Sequence, residues 1–297
     1  MIRIDPKEIP LSKLHGYLLG SVGPRPIAFA STVDKMGNPN LAPFSFFNVF
    51  SANPPIAIFS PARRGIDNTT KHTYENCKQT GEVVINIVTY SMVQQTSLTS
   101  ADYPKGVSEF EKAGFIPIES EVVKPFRVKE SPVQMECKVK EVIELGNEGG
   151  AGNLIVSEIV LVHINEEVIG EDGRIDQNKI DLVGRMGGNW YCRASGNALF
   201  EVEKPTAKLG IGVDQIQDEI RNSKILTGNN LGQLGNTEQL PNETEVNEYK
   251  LLELSDLFIQ YENDKHELEK QLHLHAKKLL EDDMAEEAWK TLLAYNH

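Results

Sequence analysis

Short apolar runs separated by turn residues dominate the first two-thirds of the chain. Residues 27–30, 56–59 and 82–88 are rich in β-branched and aromatic side chains, which predicts buried strands. Between residues 135 and 164, apolar and charged residues alternate on both sides of a glycine-rich turn at 146–152. This alternation predicts a long β-hairpin.

Turn residues connect these runs at short intervals. Residues 34–38, Asp-Lys-Met-Gly-Asn, carry a hairpin signal, after which residues 40–50 are expected to return beside the preceding strand. Residues 18–32 predict a strand, a turn and a strand around a bend at 23–26.

Helical segments are few in this part of the chain. Residues 69–80 are polar and helix-compatible, and Gly81 supplies a stop. Residues 9–17 predict a short helix, and residues 91–114 are helical or irregular. Many strands joined by short turns, with few helices, favour a mainly β, antiparallel barrel over alternating βαβ units.

The pattern changes to a helical period near the carboxyl end. Apolar residues recur at helical spacing across 254–279, and residues 284–295 predict a second helix. The apolar stripe of such a pair needs a partner, so we expect it to pack on the barrel or on another subunit. Residues 228–235 are glycine-rich but match neither the dinucleotide nor the P-loop spacing, and they predict a loop. We therefore divide the chain into a domain over residues 1–204 and a helical extension over residues 205–297.

The charge distribution agrees with this division and narrows the range of partners. A formal net charge of -13 disfavours nucleic acid, which is bound by clustered Lys and Arg. From Pro205 onward the chain has 18 acidic and 9 basic residues, against 25 and 21 before it.

No apolar run is long enough for a membrane helix, and the amino terminus lacks signal-peptide regions, so we expect a cytoplasmic protein. The three cysteines are odd in number and far apart, which favours reduced thiols over a disulfide framework.

Polar and cationic side chains follow several of the predicted strands. Arg63, Arg64 and Lys71 are suited to charge-assisted hydrogen bonds with a phosphate monoester, and Ser60 and Thr73 add hydroxyl donors. Taken alone, this stretch favours a solvated surface turn with scattered cations. The repetition of such clusters at several strand ends favours a ligand site.

Residues 42–48, Ala-Pro-Phe-Ser-Phe-Phe-Asn, interrupt a strand-like run with proline and serine. Because proline breaks regular ladder pairing, main-chain groups remain for a ligand. A flat heterocycle such as an isoalloxazine fits such groups along its polar edge, with phenylalanines against its apolar part. A core strand with a bulge is the alternative, and Phe46 and Phe47 suit that interpretation as well.

A series of short motifs follows a fixed order along the first two-thirds of the chain. They are GPRPIAFAST at 23–32, D-x-x-G at 34–37, NLAPFSFFN at 40–48, the Pro54-Pro55 pair, the strand end Phe59-Ser60, K-x-T at 71–73, TGE-x-x-x-N at 80–86 and VGRMGGNWY at 183–191. Together they resemble the flavin reductase-like family of FMN-binding split barrels, which includes the flavoredoxins. His72 departs from the family pattern, in which an acidic residue is frequent at this position.

The resemblance implies a homodimeric split β-barrel, antiparallel and Greek-key-like, that holds FMN without a covalent bond near the subunit interface. Many members reduce the flavin with NAD(P)H. By position, the implied phosphate and ribityl contacts are Ser31, Thr32, Ser60, Arg64, Lys71 and Thr73. The residues implied to face the ring are Asn40, Pro43, Phe44, Ser45 and Asn48. Hydride transfer is the chemistry of the flavin itself, so we nominate no catalytic acid, base or triad.

Two function classes fit this interpretation. The first is an FMN-binding oxidoreductase that passes hydride from NAD(P)H to FMN and on to a small acceptor. The second is an FMN-binding electron carrier without its own NAD(P)H activity. An empty barrel that serves only in protein interactions is a third alternative, and it predicts a colourless protein.

Four residues near the carboxyl end form a candidate metal site, because helical spacing places them on one face: Glu262, His266, Glu269 and His273. Glu–His pairs at this spacing are more commonly surface contacts, so we predict no metal.

Overall fold

The structure, a computed structural model, describes residues 1–202, 204–205 and 209–296. The chain forms two compact units, Met1–Phe200 and Glu201–His297. In the described residues the strands are β1 (Ala28–Val33), β2 (Pro39–Phe44), β3 (Phe47–Ala52), β4 (Pro55–Phe59), β5 (Glu82–Ile87), β6 (Pro117–Ile118), β7 (Arg127–Val128), β8 (Val133–Glu144), β9 (Asn153–Ile164), β10 (Leu182–Arg185) and β11 (Tyr191–Ala194). The helices there are α1 (Leu11–Ser21), α2 (His72–Thr80), α3 (Val93–Leu98), α4 (Glu109–Ala113), α5 (Gln177–Ile180), α6 (Asp218–Arg221), α7 (Gly228–Gly235), α8 (Glu243–Glu253), α9 (Ser255–Gln260), α10 (Lys265–Glu281) and α11 (Ala285–Leu293).

Seven strands form one sheet in the order β2-β1-β5-β8-β9-β4-β3, and neighbouring strands are antiparallel. The two edge strands, β2 and β3, are consecutive in the chain, with only Ser45 and Phe46 between them. Three peptide steps separate the Cα atoms of Phe44 and Phe47, so these atoms lie at most about 11 Å apart. The sheet therefore curls until its edges approach each other at this corner. The predicted mainly β, antiparallel split barrel is confirmed.

The strand pairing corrects one detail of the prediction. Residues 40–50 were expected to return as one segment beside the preceding strand, but β2 pairs with β1 and β3 pairs with β4 at the opposite edge. Pro43 lacks a backbone donor, and the chain bends at Ser45 and Phe46 before it joins the other edge.

Strand β1 is buried along its whole length because both of its faces are covered. Ala28 and Ala30 pack with Phe59 in the apolar interior shared by the sheet strands and α2. Phe29 lies in a second cluster with Phe110, beneath α3 and α4. This double coverage explains why the first apolar run of the sequence does not alternate with polar residues.

Several predicted elements are confirmed. The hairpin signal at residues 34–38 joins β1 to β2, and residues 82–87 form the buried strand β5. The long hairpin consists of β8 and β9, paired from Val133 and Ile164 to Glu144 and Asn153. Helix α2 ends at Gly81, whose φ of 71° is the left-handed conformation that glycine adopts readily.

The prediction for residues 18–21 was wrong, because they belong to α1 rather than to a strand. The guanidinium of Arg25 donates hydrogen bonds to the carbonyls of Leu19 and Val22 at the end of this helix, and to that of Met186. A cation that satisfies the last helical carbonyls stabilises the helix end.

The glycine-rich segment at 228–235 was predicted as a loop but forms α7. Its amino terminus has a reciprocal cap, in which Thr227 Oγ1 accepts from the Asn230 amide and Asn230 Oδ1 accepts from the Thr227 amide. Leu234 in this helix is fully buried, and its carbonyl accepts a hydrogen bond from Trp289 Nε1 at 3.0 Å. Capping and burial together outweigh the low helix propensity of glycine.

The single long helix predicted over 254–279 was also wrong. These residues form two helices, α9 and α10, instead, and Asp264 caps the start of α10 by accepting from the Glu267 amide at 3.0 Å. Leu254, Leu272 and Trp289 lie in a core formed within this unit, so much of the apolar surface of its helices is covered by the unit itself and not, as expected, by the barrel or another subunit. Among the described residues, no helix has the length and apolarity that crossing a membrane requires.

Candidate functional site

A cavity of about 290 Å³, open on one side, lies at the corner where the two edge strands approach each other. Strand β2 and the following bend form one wall, and the segments after β4 and before α2 form another. The cavity is lined by eight of the predicted cofactor contacts, namely Asn40, Pro43, Phe44, Ser45, Ser60, Arg64, Lys71 and Thr73. The fold thus brings most of the predicted set together.

Two cations converge on one oxygen atom at the cavity wall. Asp102 Oδ1 accepts from Arg64 Nη2 at 2.9 Å and from Arg64 Nε at 3.1 Å. The same oxygen accepts from Lys71 Nζ at 2.8 Å. These hydrogen bonds lower the pKa of Asp102 to about 2, with Arg64 the larger contributor. A position between Arg64 and Lys71 is therefore strongly suited to a negatively charged oxygen.

The two neighbouring arginines have different partners. Arg63 donates to the side chain and the carbonyl of Asn68, at 2.7 and 2.6 Å, and so holds the loop in shape. Arg64 donates to Thr69 Oγ1 and to the Thr70 carbonyl, at 3.0 and 2.6 Å, while its remaining donors face Asp102. These bonds fix the direction of the Arg64 guanidinium. They also explain why α2 begins at residue 72 and not at 69 as predicted.

A buried network of amides and hydroxyls lies behind the cations. Asn40 Nδ2 donates to Thr73 Oγ1 at 2.9 Å and to Thr32 Oγ1 at 3.3 Å. Asn76 Nδ2 also donates to Thr32 Oγ1, at 3.1 Å. Thr32 is fully buried and lies beneath the cavity wall, whereas Asn40 and Thr73 line it. The network positions the turn that carries Lys71.

Two other predicted residues lie away from the cavity. Ser31 is fully buried in β1, and its hydroxyl has no hydrogen-bond partner among the described residues. Asn48 is exposed in β3, and its side chain accepts from the amide of Val49 at 2.8 Å. Asn48 therefore does not face the cavity within this chain.

The outer edge of β2 carries main-chain groups that do not pair with β1. The Leu41 amide bonds to Glu109 Oε2 at 3.0 Å, which shows that it points away from β1. Because amides alternate in direction along an antiparallel strand, Pro43 and Ser45 share this outward edge. Pro43 has no N–H, so the edge offers carbonyls and the Ser45 amide. Phe44 lies 5.5 Å from Phe59 between ring centroids, which joins the wall to the barrel core.

Ser60 closes the wall at the end of β4. Its hydroxyl oxygen accepts from the Asn153 amide at 3.0 Å, so its proton remains available for a ligand. A Cβ on Gly152 would lie 2.9 Å from this oxygen, which explains why glycine stands there.

Sequence reasoning missed several residues of the cavity. Asp102 and Tyr103 come from a segment after α3 that showed no specific pattern, and 38 positions separate Asp102 from Arg64. Glu109 is buried against Leu41, and burial raises the pKa of its carboxyl. In the sequence, the polar turn before Glu109 was the only sign of an element in this segment. That turn does not indicate which strand Glu109 packs against.

The donor set fits FMN. The paired cations suit a phosphate, Ser60 and Thr73 suit a polyol chain, and the β2 edge suits the polar side of a flat ring. Strand β2 itself supplies apolar surface at Ala42 and Phe44.

His15 and His72 line the cavity, whereas His273 and the buried cysteines lie elsewhere. His273 is buried and shares a 2.8 Å hydrogen bond with Ser223, so it does not belong to a surface pair with its helical neighbours as predicted. Within the described residues, no group of three His, Cys, Asp or Glu side chains is arranged to hold a metal. Cys77 and Cys137 are buried as free thiols, and burial raises the pKa of both.

Comparison with known proteins gives consistent matches. A sequence model of the flavin reductase like domain matches residues 20–179. An uncharacterized protein of Aquifex aeolicus is 36% identical over 196 residues, which cover 66% of this chain and 97% of that protein.

Solved structures of flavin-related proteins are also similar to this chain. Nitrilotriacetate monooxygenase component B from Bacillus cereus is 35% identical with a TM-score of 0.63, over 68% of this chain and 98% of its own. A flavin reductase candidate with a split barrel domain from Shewanella frigidimarina is 28% identical with a TM-score of 0.58, over 69% and 100%. Each protein is matched over nearly its whole length, and about a third of this chain lies outside each match.

Proposed function

Because the chain belongs to the flavin reductase like domain family, we propose that it binds FMN in the cavity beside β2 and reduces it with NADH or NADPH. The reduced flavin would then pass its electrons to a small acceptor. This chemistry requires no catalytic acid or base from the chain.

The observation that carries this proposal is the convergence of Arg64 and Lys71. Both cations lie within 3 Å of one carboxylate oxygen, so an oxygen of a phosphate monoester can take the same bonds. Such a pair of cations contributes mainly to the binding of the phosphate and little to the binding of the riboflavin part. It therefore favours FMN over flavins without a terminal phosphate.

The rest of the cavity suits the remainder of FMN. Ser60 and Thr73 are proposed to contact the ribityl chain, while Asn40, Pro43 and Ser45 are proposed to contact the polar edge of the ring. When bound, FMN supplies the hydride-accepting centre. The chain holds the ring at the β2 edge, and the open side of the cavity leaves access for the nicotinamide.

We further propose that the chain works as a homodimer. Alternate residues of β9 expose one apolar row, Val160, Val162 and Ile164, and Val49 and Phe50 of β3 are exposed as well. A second copy is the proposed cover for these side chains. The three free thiols suit a reducing compartment, which supports the cytoplasm as the proposed location.

Anaerobic titration tests the proposed activity. Purified protein loaded with FMN is mixed with NADH and, separately, with NADPH, and the visible flavin absorbance is followed. Rapid loss of the oxidised band with either nucleotide is expected. Reduction by dithionite alone would favour an electron carrier, and failure of the folded protein to bind FMN would exclude both functions.

A further inference from the structure

Asp102 occupies the position that the phosphate needs. Its Oδ1 atom takes one bond from Lys71 Nζ and two from Arg64, at 2.8 to 3.1 Å. Each of these donors is also a donor for an FMN phosphate under the proposed function. One carboxylate oxygen therefore pairs with both cations in this structure.

The carboxylate and a phosphate exclude each other from this position. The two cations hold the pKa of Asp102 at about 2, so the side chain is negatively charged throughout the physiological range. A phosphate brought between Arg64 and Lys71 would meet this charge at close range, and like charges repel. The carboxylate has to leave when the phosphate enters.

The surroundings of Asp102 allow it to leave by side-chain rotation. Its side chain is 59% exposed, against 20% for Arg64 and 30% for Lys71. The main chain on both sides is held by turn bonds, from the Ala101 amide to the Leu98 carbonyl and from the Tyr103 amide to the Ala101 carbonyl. Exposed ion pairs of this kind add little to stability, so breaking them opposes ligand entry only modestly.

We propose that Asp102 is a reversible latch in the phosphate site, pairing with Arg64 and Lys71 when the site is empty and turning outward when FMN binds. The latch rests on the proposed function and adds how the phosphate site changes when FMN binds and leaves. The latch supplies a replacement anion each time a flavin leaves, so it lowers the affinity for FMN and speeds its release. Riboflavin has no phosphate with which to displace the carboxylate.

The variant Asp102→Asn tests the latch, because it removes the negative charge and keeps the size of the side chain. Asp172→Asn is the matched control, since it makes the same change of charge at an exposed turn that does not line the cavity. Dissociation constants for FMN and riboflavin are measured by quenching of flavin fluorescence. The release rate of FMN is measured by stopped-flow displacement.

With Asp102→Asn, FMN is expected to bind on the order of tenfold more tightly and to leave more slowly, with riboflavin affinity unchanged. Asp172→Asn should match the original protein for both ligands. If the original protein binds FMN and Asp102→Asn binds it equally or more weakly, the latch is excluded and the proposed function stands. If neither folded protein binds FMN, the proposed function fails and the latch fails with it.

Discussion

Asn40 Nδ2 and Thr73 Oγ1 lie 2.9 Å apart, and this buried hydrogen bond joins the edge strand β2 to the first turn of α2. It connects the proposed ring-binding wall to the turn that carries Lys71.

Replacing Asn40 should therefore affect both stability and ligand binding. In Asn40→Ala, the hydroxyls of Thr73 and Thr32 lose a buried donor, and we expect the free energy of unfolding to fall by about 1–3 kcal/mol. FMN affinity should fall severalfold because Lys71 loses its fixed position. Urea unfolding and FMN titration measure the two effects. Asn38→Ala, at the exposed turn between β1 and β2, is the control and should change neither one strongly.

The double variant Arg64→Ala, Lys71→Ala tests the placement of the phosphate. Loss of two charge-assisted contacts should weaken FMN binding by about a hundredfold or more, whereas riboflavin binding should change by less than about twofold. Lys138→Ala removes a comparable exposed ion pair with Glu82 outside the cavity and should leave both affinities intact. An equal loss for FMN and riboflavin in the double variant would place the phosphate elsewhere.

Glu109 predicts a specific pH dependence of stability. Burial raises the pKa of this carboxyl in the folded chain above its usual value of 4.5. The stability that it contributes is therefore complete below that value and is lost as the pH rises through the folded pKa. Glu109→Gln keeps an acceptor for the Leu41 amide but cannot ionise.

The free energy of unfolding of Glu109→Gln, relative to that of the original chain, should accordingly increase as the pH rises from about 4 toward neutrality. Free energies of unfolding at a series of pH values provide the measurement. Glu111→Gln, on the exposed side of the same helix, serves as the control. A difference between Glu109→Gln and the original chain that stays constant with pH would contradict the prediction.

Truncation of the two tryptophans should change stability by very different amounts. Trp289 is fully buried in the core of the helical unit, so Trp289→Ala should destabilise that unit by about 3–5 kcal/mol. FMN affinity should not change, because the cavity residues all belong to the first unit.

Trp190 is 77% exposed, and Trp190→Ala should alter stability by less than about 0.5 kcal/mol. Thermal unfolding combined with FMN titration distinguishes the two cases, and reduced FMN affinity in Trp289→Ala would show that the helical unit supports the site.

The strand pattern of the barrel could be predicted because it depends on local signals. Alternation, β-branched residues and turn residues located β1, β5 and the β8–β9 hairpin, and the glycine after α2 located its end. The cation cluster was visible for the same reason, since Arg64 and Lys71 are near each other in sequence. Asp102 could not be predicted from the sequence, because its position beside Arg64 and Lys71 depends on how a distant segment folds.

Other errors arose where packing outweighed local preference. The glycines of α7 argued for a loop, but the cap at Thr227 and the burial of Leu234 against Trp289 make it a helix. The helical period over residues 254–279 concealed a break at Asp264, although this residue, with Glu267 three positions later, resembles a cap signal. Asn48 was grouped with the ring contacts by position alone; the strand switch after Phe44 places it outside the cavity of its own chain, and its contact with the ring stays a prediction.

The short connection of Ser45 and Phe46 between the sheet edges has a mechanical consequence. It acts as a tether of fixed length beside one wall of the cavity, so the two sheet edges cannot move apart without breaking strand pairs. Lengthening this tether by a few residues would relax that limit while leaving the cations in place. The spacing of the sheet edges and the proposed phosphate contacts thus depend on different parts of the chain and can be changed independently.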